Sequence, residues 1–441
     1  MPLPRLALDH LPVKPGTARS VIVAAVTLVT AEFVRSGMYG AYFTQVIDTQ
    51  YHLPVAVAGM VAAAHMTADT LMRAPAGSLI QKYGPRKVVF AGALLSLLAL
   101  SLLLLPAAHT IWMVILIAAL HGIGFSPLWP TTMNLAADAA LPGYEGRTLT
   151  LVSTSLMPLV GLGFMVYGAV ARNTHFPIMA MTLGLLALSL LASTLLPARR
   201  LISQAPADEH PHGRPARSVV QAVMPLLPAA LMQTLTQAIV GNWLFRIAPE
   251  LGLGYWNLIA LLGVGGAVAF ACMPFTGKLA DGGRARFAVT VGYACVAAGM
   301  LGFTLMPPVW ALFLLAPVVG VGYAFLTPGW AALVTQTLPE AQRPAAWGIL
   351  MTVENAGMAL GPALGGFAYQ LLNARGPFAL NALLSLLTAV GYVLFRHHFV
   401  GARTVTSASA PPQGQATPDR QTSEAAAADA VASTVKEHLH K

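Results

Sequence analysis

Apolar runs long enough to cross the ~30 Å hydrocarbon core of a bilayer recur along the chain. They lie at roughly 20–46, 54–80, 87–106, 110–136, 147–171, 175–196, 219–247, 254–276, 287–306, 309–335, 345–372 and 376–399. Lipid offers the backbone no hydrogen-bond partner, so each run is expected to be a helix. The pattern predicts an all-α membrane protein with twelve transmembrane helices. The first run follows Arg5, Lys14 and Arg19, but it is too long for a signal-peptide core, contains Glu32 and has no clear small-residue cleavage site. It is expected to stay as a helix.

Composition agrees with that pattern: 56% of the 441 residues are hydrophobic and 9% are charged, where soluble domains carry about 25% charge. With the N-terminus inside, the outer loops hold Arg172, Arg246 and Arg375. The inner segments gather Lys82, Arg86 and Lys87, then Arg199 and Arg200, Arg214 and Arg217, and Arg284 and Arg286. This asymmetry predicts a multi-pass protein of the cell membrane with both termini cytoplasmic. It also accounts for the net charge of +9. Basic residues dispersed over loops do not make a nucleic-acid surface. Cys272 and Cys295 fall within or beside spans, which supports neither a disulfide framework nor a metal cluster, and no cofactor is expected.

A polar stretch at 198–218, rich in Pro, His and charge, separates six spans from six. The predicted organisation is a cytoplasmic segment at 1–19, six-helix bundles at 20–197 and 219–399 joined by that linker, and a disordered cytoplasmic tail at 400–441 without apolar period. Three segments repeat at an offset of about 200 residues. Gly77-Ser-Leu-Ile matches Gly277-Lys-Leu-Ala, Gly122-Ile-Gly-Phe matches Gly320-Val-Gly-Tyr, and Leu141-Pro142 with Arg147 matches Leu338-Pro339 with Arg343. Two pseudo-symmetric halves in the same orientation place a substrate path between them near the midplane.

Five ionisable side chains stand inside the first two runs, where each costs about 2.5 kcal/mol or more. Glu32 and Arg35 are three apart and share a helix face. They form either a structural ion pair or a proton- and substrate-handling one. His65, Asp69 and Arg73 are spaced four and four, a single stripe expected to line the cavity. Asp69 is the first choice for a proton carrier, because a carboxylate poised between desolvation and a neighbouring cation changes protonation readily; a static bridge to Arg73 is the plainer alternative. His65 either relays protons, donates to a polar head group, or is a satisfied histidine. In the second half Glu354 is the intramembrane acid, followed by Asn355, with helix-packing glue as its alternative role. Gln233, Gln237 and Asn134 are weaker binding candidates. Trp129, between Pro127 and Pro130, either stacks on a ligand or anchors at the interface. The glycines at 122, 124, 320, 322, 361, 365 and 366 permit close helix approach.

The segment Gly77-Ser-Leu-Ile-Gln-Lys-Tyr-Gly84-Pro-Arg86-Lys87 resembles the signature loop of the major facilitator superfamily, Gly-x-Leu-x-Asp-Arg-x-Gly-Arg-Arg/Lys. Gln81 replaces the usual acid. The second copy keeps Asp281 in Gly277-Lys-Leu-Ala-Asp281-Gly-Gly-Arg284-Ala-Arg, with its later positions shifted by about one residue. Gly361-Pro-Ala-Leu-Gly-Gly366 resembles an element that antiporters carry in the fifth span, here in the eleventh, and the fourth span lacks the Arg-x-x-Gln-Gly type of element of drug antiporters. Glu32, Arg35, Asp69 and Trp129 resemble, less strongly, the polar pocket of the proton-coupled glycolipid flippases of lipoteichoic-acid synthesis.

These resemblances imply the major facilitator fold and a secondary active transporter with gating loops at Gly77–Lys87 and Gly277–Arg284. The expected partners are membrane lipid, protons and a small-molecule or lipid substrate, handled by a monomer. Export or flipping of an amphipathic molecule, a glycolipid or drug-like compound, is the preferred direction, with Asp69, Glu32 and Glu354 coupling protons. The alternative is a proton-coupled importer of a sugar or organic anion. Enzyme chemistry is not expected: His65-Met-Thr-Ala-Asp69 is one residue shorter than the His-x-x-x-x-Asp acyltransferase pattern.

Overall fold

A computed structural model describes residues 13–141, 145–171, 177–198, 221, 223–337 and 343–395. The predicted tail, most of the predicted linker and the ends of the third repeat match lie outside them. The described residues are helical throughout, apart from an isolated bridge between Val13 and Ala140. In chain order the helices are α1 (Ala18–Gly37), a π turn (Met38–Tyr42), α2 (Phe43–Val46), α3 (Ala56–Tyr83), α4 (Pro85–Ser101), α5 (Ile111–Phe125), α6 (Leu128–Ala139), α7 (Glu145–Val170) and α8 (Ile178–Ser193). There follow α9 (Leu227–Gly241), α10 (Leu244–Ile247), α11 (Tyr255–Leu279), α12 (Ala285–Thr304), α13 (Val309–Thr337), α14 (Arg343–Leu372) and α15 (Arg375–Leu394).

Among the described residues six helical stretches suffice, by length and composition, to cross a membrane: Ala18–Val46, Pro85–Leu104, Ile111–Ala139, Tyr255–Thr304, Val309–Thr337 and Arg375–Leu394. The fourth of these is two helices, α11 and α12, joined at a turn where Gly283 takes φ 82. Large apolar side chains face outward, among them Leu371 at 81% and Phe270 at 75% exposure. On a soluble protein such a surface would drive aggregation; here it is the surface that lipid wets.

The signature segment departs from the expected loop. Residues 77–83 are the last turns of α3, and the chain reverses at Gly84 alone, which has φ 84. A glycine tolerates that backbone where a side chain is strained, and Pro85 starts α4 with its ring already at a helical φ. One residue therefore makes the turn that the pattern suggested was longer.

In chain order the described helices form a first set, α1–α8, and a second, α9–α15. In the first, α1 contacts α7 and α8, α3 contacts α5, and α4 contacts α5 and α8; in the second, α9 contacts α14 and α15, α12 contacts α13 and α15, and α11 contacts α13. The sets meet chiefly where α3 crosses α14. A Cβ at Gly59 would overlap the Pro362 carbonyl of α14, so only glycine lets these backbones approach. The buried Trp243 indole donates to that same carbonyl at 3.1 Å and stacks on Tyr369. The Gly361–Gly366 element thus lies at the contact between the sets. Without a hydrophobic drive between helices in lipid, such close packing and interhelical hydrogen bonds carry association. Ser189 to the Thr27 carbonyl (2.9 Å) and Asn381 to the Thr236 carbonyl (2.5 Å) are bonds of that kind.

Candidate functional site

Glu32 and Arg35 lie on consecutive turns of α1 and meet as the spacing predicts, with Arg35 Nε donating to Glu32 Oε2 at 2.7 Å. The second carboxylate oxygen accepts the indole N–H of Trp129 from α6. Trp129 therefore holds an acid in place, a role that neither sequence reading of it contained. Glu32 is buried, at 1% exposure, so its charge is acceptable only because both oxygens are bonded and a guanidinium sits beside it. Arg35 also lies over the Phe125 ring, 5.4 Å from its centroid, and contacts Met66 Sδ.

One helix away, Arg73 grips Asp69 with two bonds, Nε to Oδ1 at 3.2 Å and Nη2 to Oδ2 at 2.7 Å. The fork of a guanidinium matches both carboxylate oxygens, which makes this among the stronger pair geometries. Asp69 is buried while Arg73 is partly exposed, so the pair has one end open. Through its contact with Met66, Arg35 touches the helix that carries Asp69 and Arg73.

A turn along each helix from this network stands a layer of rings. Tyr39 is four residues from Arg35, His65 four from Asp69 and His121 four from Phe125, so α1, α3 and α5 each contribute one side chain to each layer. Tyr39 and His65 stack at 4.2 Å between centroids, His65 and His121 are 4.8 Å apart, and Tyr39 Oη shares a hydrogen bond with His121 Nδ1 at 2.8 Å. Both nitrogens of His65 and Nε2 of His121 are buried without a hydrogen-bond partner, the Ala118 carbonyl near His65 falling outside bonding geometry. Tyr39 sits in the π turn, a distortion frequent at functional sites, and its carbonyl accepts Asn242 Nδ2 from the second set at 3.1 Å. Tyr39 and His121 escaped the sequence reading; the Arg35–Tyr39 spacing was the signal that pointed to the first.

The second set holds the other candidates apart from this network. Glu354 accepts the indole N–H of Trp330 at 2.6 Å, and Thr234 donates to its backbone carbonyl. Gln233 accepts from Tyr293 Oη at 3.3 Å, and Gln237 donates to the Gln233 carbonyl. Asn355 is half-buried, and Asn134 is exposed on α6. No hydrogen bond or ion pair joins Glu354 to Asp69 among the described residues. A cavity of about 230 Å³ opens among α9, α11, α12 and α13, lined by Gly265, Met300, Phe303, Ala316 and Tyr323, with Gln237 at its polar edge. Its walls are otherwise apolar. In the signature segments Gly77 and Gly277 lie within helices, Arg86 donates to the Leu196 carbonyl at 2.5 Å, and Lys87, Asp281 and Arg284 are exposed.

Beyond the ring layer, at the end of α2, Asp48 meets Arg246 of α10 with two bonds of 2.7 Å. Arg246 also donates to Tyr369 Oη at 3.2 Å, and Tyr369 donates to Glu250, whose other oxygen accepts the Ala374 N–H. The Arg246 hydrogen bond holds the Asp48 carboxyl below its ordinary range.

The sequence profile of the Major Facilitator Superfamily matches residues 25–316 and 282–429. With the helical fold and the buried charge network, this defines a multi-pass membrane transporter, and the chain belongs to that superfamily. It is 24% identical over 387 residues to the proton-coupled antiporter flippase LtaA of Staphylococcus haemolyticus (strain JCSC1435), covering 86% of this chain and 95% of that one. Its identity to the LtaA of Staphylococcus aureus (strain USA300) is also 24%, over 388 residues, covering 85% and 94%. Among solved structures the nucleoside transporter NupG superposes with a TM-score of 0.64 at 14% identity, covering 84% of this chain and 98% of NupG. That likeness is one of fold.

Proposed function

We propose that this protein is a secondary active transporter that exchanges protons for an amphipathic substrate, exporting or flipping it by alternating access. Twelve spans in two six-helix halves would frame the path, with both termini cytoplasmic. The observation that carries the reading is the buried cluster of Glu32, Arg35, Trp129, Asp69 and Arg73 in the first set of helices, while the second set encloses an apolar cavity. A substrate with a polar head and an apolar body matches that division. The Staphylococcus relatives, proton-coupled antiporter flippases by name, support it.

In this mechanism protonation of Asp69, with Glu32 as its partner, frees Arg73 or Arg35 from its carboxylate. The released guanidinium then engages an anionic or polyhydroxylated part of the substrate by bidentate bonds. Deprotonation restores the ion pair and expels the substrate. Proton and substrate compete for one set of charges, which is the condition for exchange. With Asp48 and Arg246 joined on the outer side, the described conformer is the one closed to the outside.

The test is flux of a fluorescent-tailed glycolipid in reconstituted vesicles under an imposed pH gradient. Gradient-driven movement in wild type, abolished in Asp69→Asn with the protein still folded, is expected. Movement that ignores the gradient, or a normal rate in Asp69→Asn, overturns the mechanism. Uptake of a water-soluble sugar or organic anion along with protons would favour an importer instead.

A further inference from the structure

The bond from Trp330 to Glu354 repeats the one from Trp129 to Glu32. Each tryptophan stands two residues after a proline, in Pro127-Leu128-Trp129 and Pro328-Gly329-Trp330, although the first lies five residues and the second eight after a Gly-x-Gly step. Their carboxylates come from different neighbours, α1 in the first case and α14 in the second. The shared feature is the indole donor, with a different acid in each place.

The copies differ in what else holds that acid. Glu32 has Arg35 at 2.7 Å; Glu354 has no ion pair among the described residues, and the Thr234 hydroxyl bonds its backbone carbonyl rather than its carboxylate. Neither α9 nor α13 contains a charged residue. On α14 itself the other charged residue is Arg343, eleven positions away, which is about 16 Å along a helix at 1.5 Å per residue. On α3, which crosses α14, none of His65, Asp69, Arg73 and Lys82 bonds to Glu354, and Arg375 stands at the start of α15. Tyr293 of α12 donates to Gln233 and offers no positive charge. A half-buried carboxylate at membrane depth, with one neutral donor and no ion pair among the described residues, is costly when ionised, and binding a proton removes that cost.

We propose that Glu354, oriented by Trp330, is a proton-binding site separate from the arginine-paired network. The inference extends the exchange reading, since it gives the second set of helices its own coupling group, yet its test needs no substrate.

Wild-type protein in substrate-free liposomes is titrated from about pH 8 to about pH 4, a range that spans carboxyl titration. Infrared difference spectroscopy reads the C=O stretch of protonated carboxyls. One component should vanish in Glu354→Gln and persist in Glu32→Gln and Asp69→Asn. If it survives Glu354→Gln, the proposal fails. Trp330→Phe decides independently should that variant not assemble: losing a donor to the ionised form should raise the midpoint by about one pH unit, and an unmoved midpoint overturns the assignment. An intact band beside absent gradient-driven flux would sink the exchange reading alone.

Discussion

Asp48 and Arg246 join chain segments 198 residues apart through two 2.7 Å hydrogen bonds. Their bond ties the end of α2 to α10, and Tyr369 and Glu250 extend it to α14. Asp48→Asn should lower stability at neutral pH by about 1 kcal/mol, since both side chains are partly exposed and solvent screens the pair. Because the Asp48 carboxyl is held below its usual range, this stability is present above about pH 4 and is lost as pH falls through the lowered value. Melting curves of wild type and variant should therefore differ at pH 7 and converge once the pH has fallen below that lowered value.

Removing one partner of the Glu32–Arg35 pair leaves a buried charge without its counterion. Arg35→Gln strands Glu32, at 1% exposure, and should cost about 3–5 kcal/mol. Taking out both charges together in Glu32→Gln with Arg35→Gln should restore most of that. Thermal unfolding of the two single variants and the double gives the coupling; additive losses would show that the pair is not interacting as drawn.

Trp129→Phe keeps a ring and deletes the donor to Glu32. A hydrogen bond to a charged group contributes about 1.5–3 kcal/mol, so gradient-driven flux of the fluorescent-tailed glycolipid should fall roughly tenfold to a hundredfold. Expression and melting should change much less, and equal losses in both would assign the tryptophan to folding alone.

His65→Phe tests the ring layer. Neither nitrogen of His65 is hydrogen-bonded, so an apolar ring that still stacks on Tyr39 removes an uncompensated polar group, and melting temperature should stay level or rise. A drop of several degrees would mean that an unseen bond satisfies the imidazole.

Gly59→Val places a side chain where the Pro362 carbonyl already lies. The α3–α14 crossing should open and widen access to the buried residues before Asp48. Labelling of a cysteine introduced at Val46, which is 1% exposed, by a membrane-impermeant reagent should then be faster than in the glycine parent.

Much of this was legible along the chain because membranes impose strict local rules. The apolar runs, the charges standing inside them and the glycine-bounded repeat announced an all-helical carrier of the major facilitator type. Spacing of three and four on a helix announced two pairings, Glu32 with Arg35 and Asp69 with Arg73, since partners on one face of one helix need no tertiary information. The signature segment was located correctly in sequence, yet its helical extension to Tyr83 was not, because a single glycine at φ 84 suffices for the reversal.

Contacts between helices are where sequence reasoning stopped. Trp129 reads equally well as a ligand platform or an interface anchor until α6 is seen to place its N–H on Glu32. Tyr39 and His121 are 82 positions apart, and Asp48 lies far from Arg246. The physical reason is that a helix declares its own faces through its period, whereas which foreign face it meets depends on crossing angle and on where glycines allow approach. The charges inside the first two apolar runs were determined by sequence alone; that Trp129 joins Glu32, and that Glu354 has an indole donor but no ion pair among the described residues, was decided by packing.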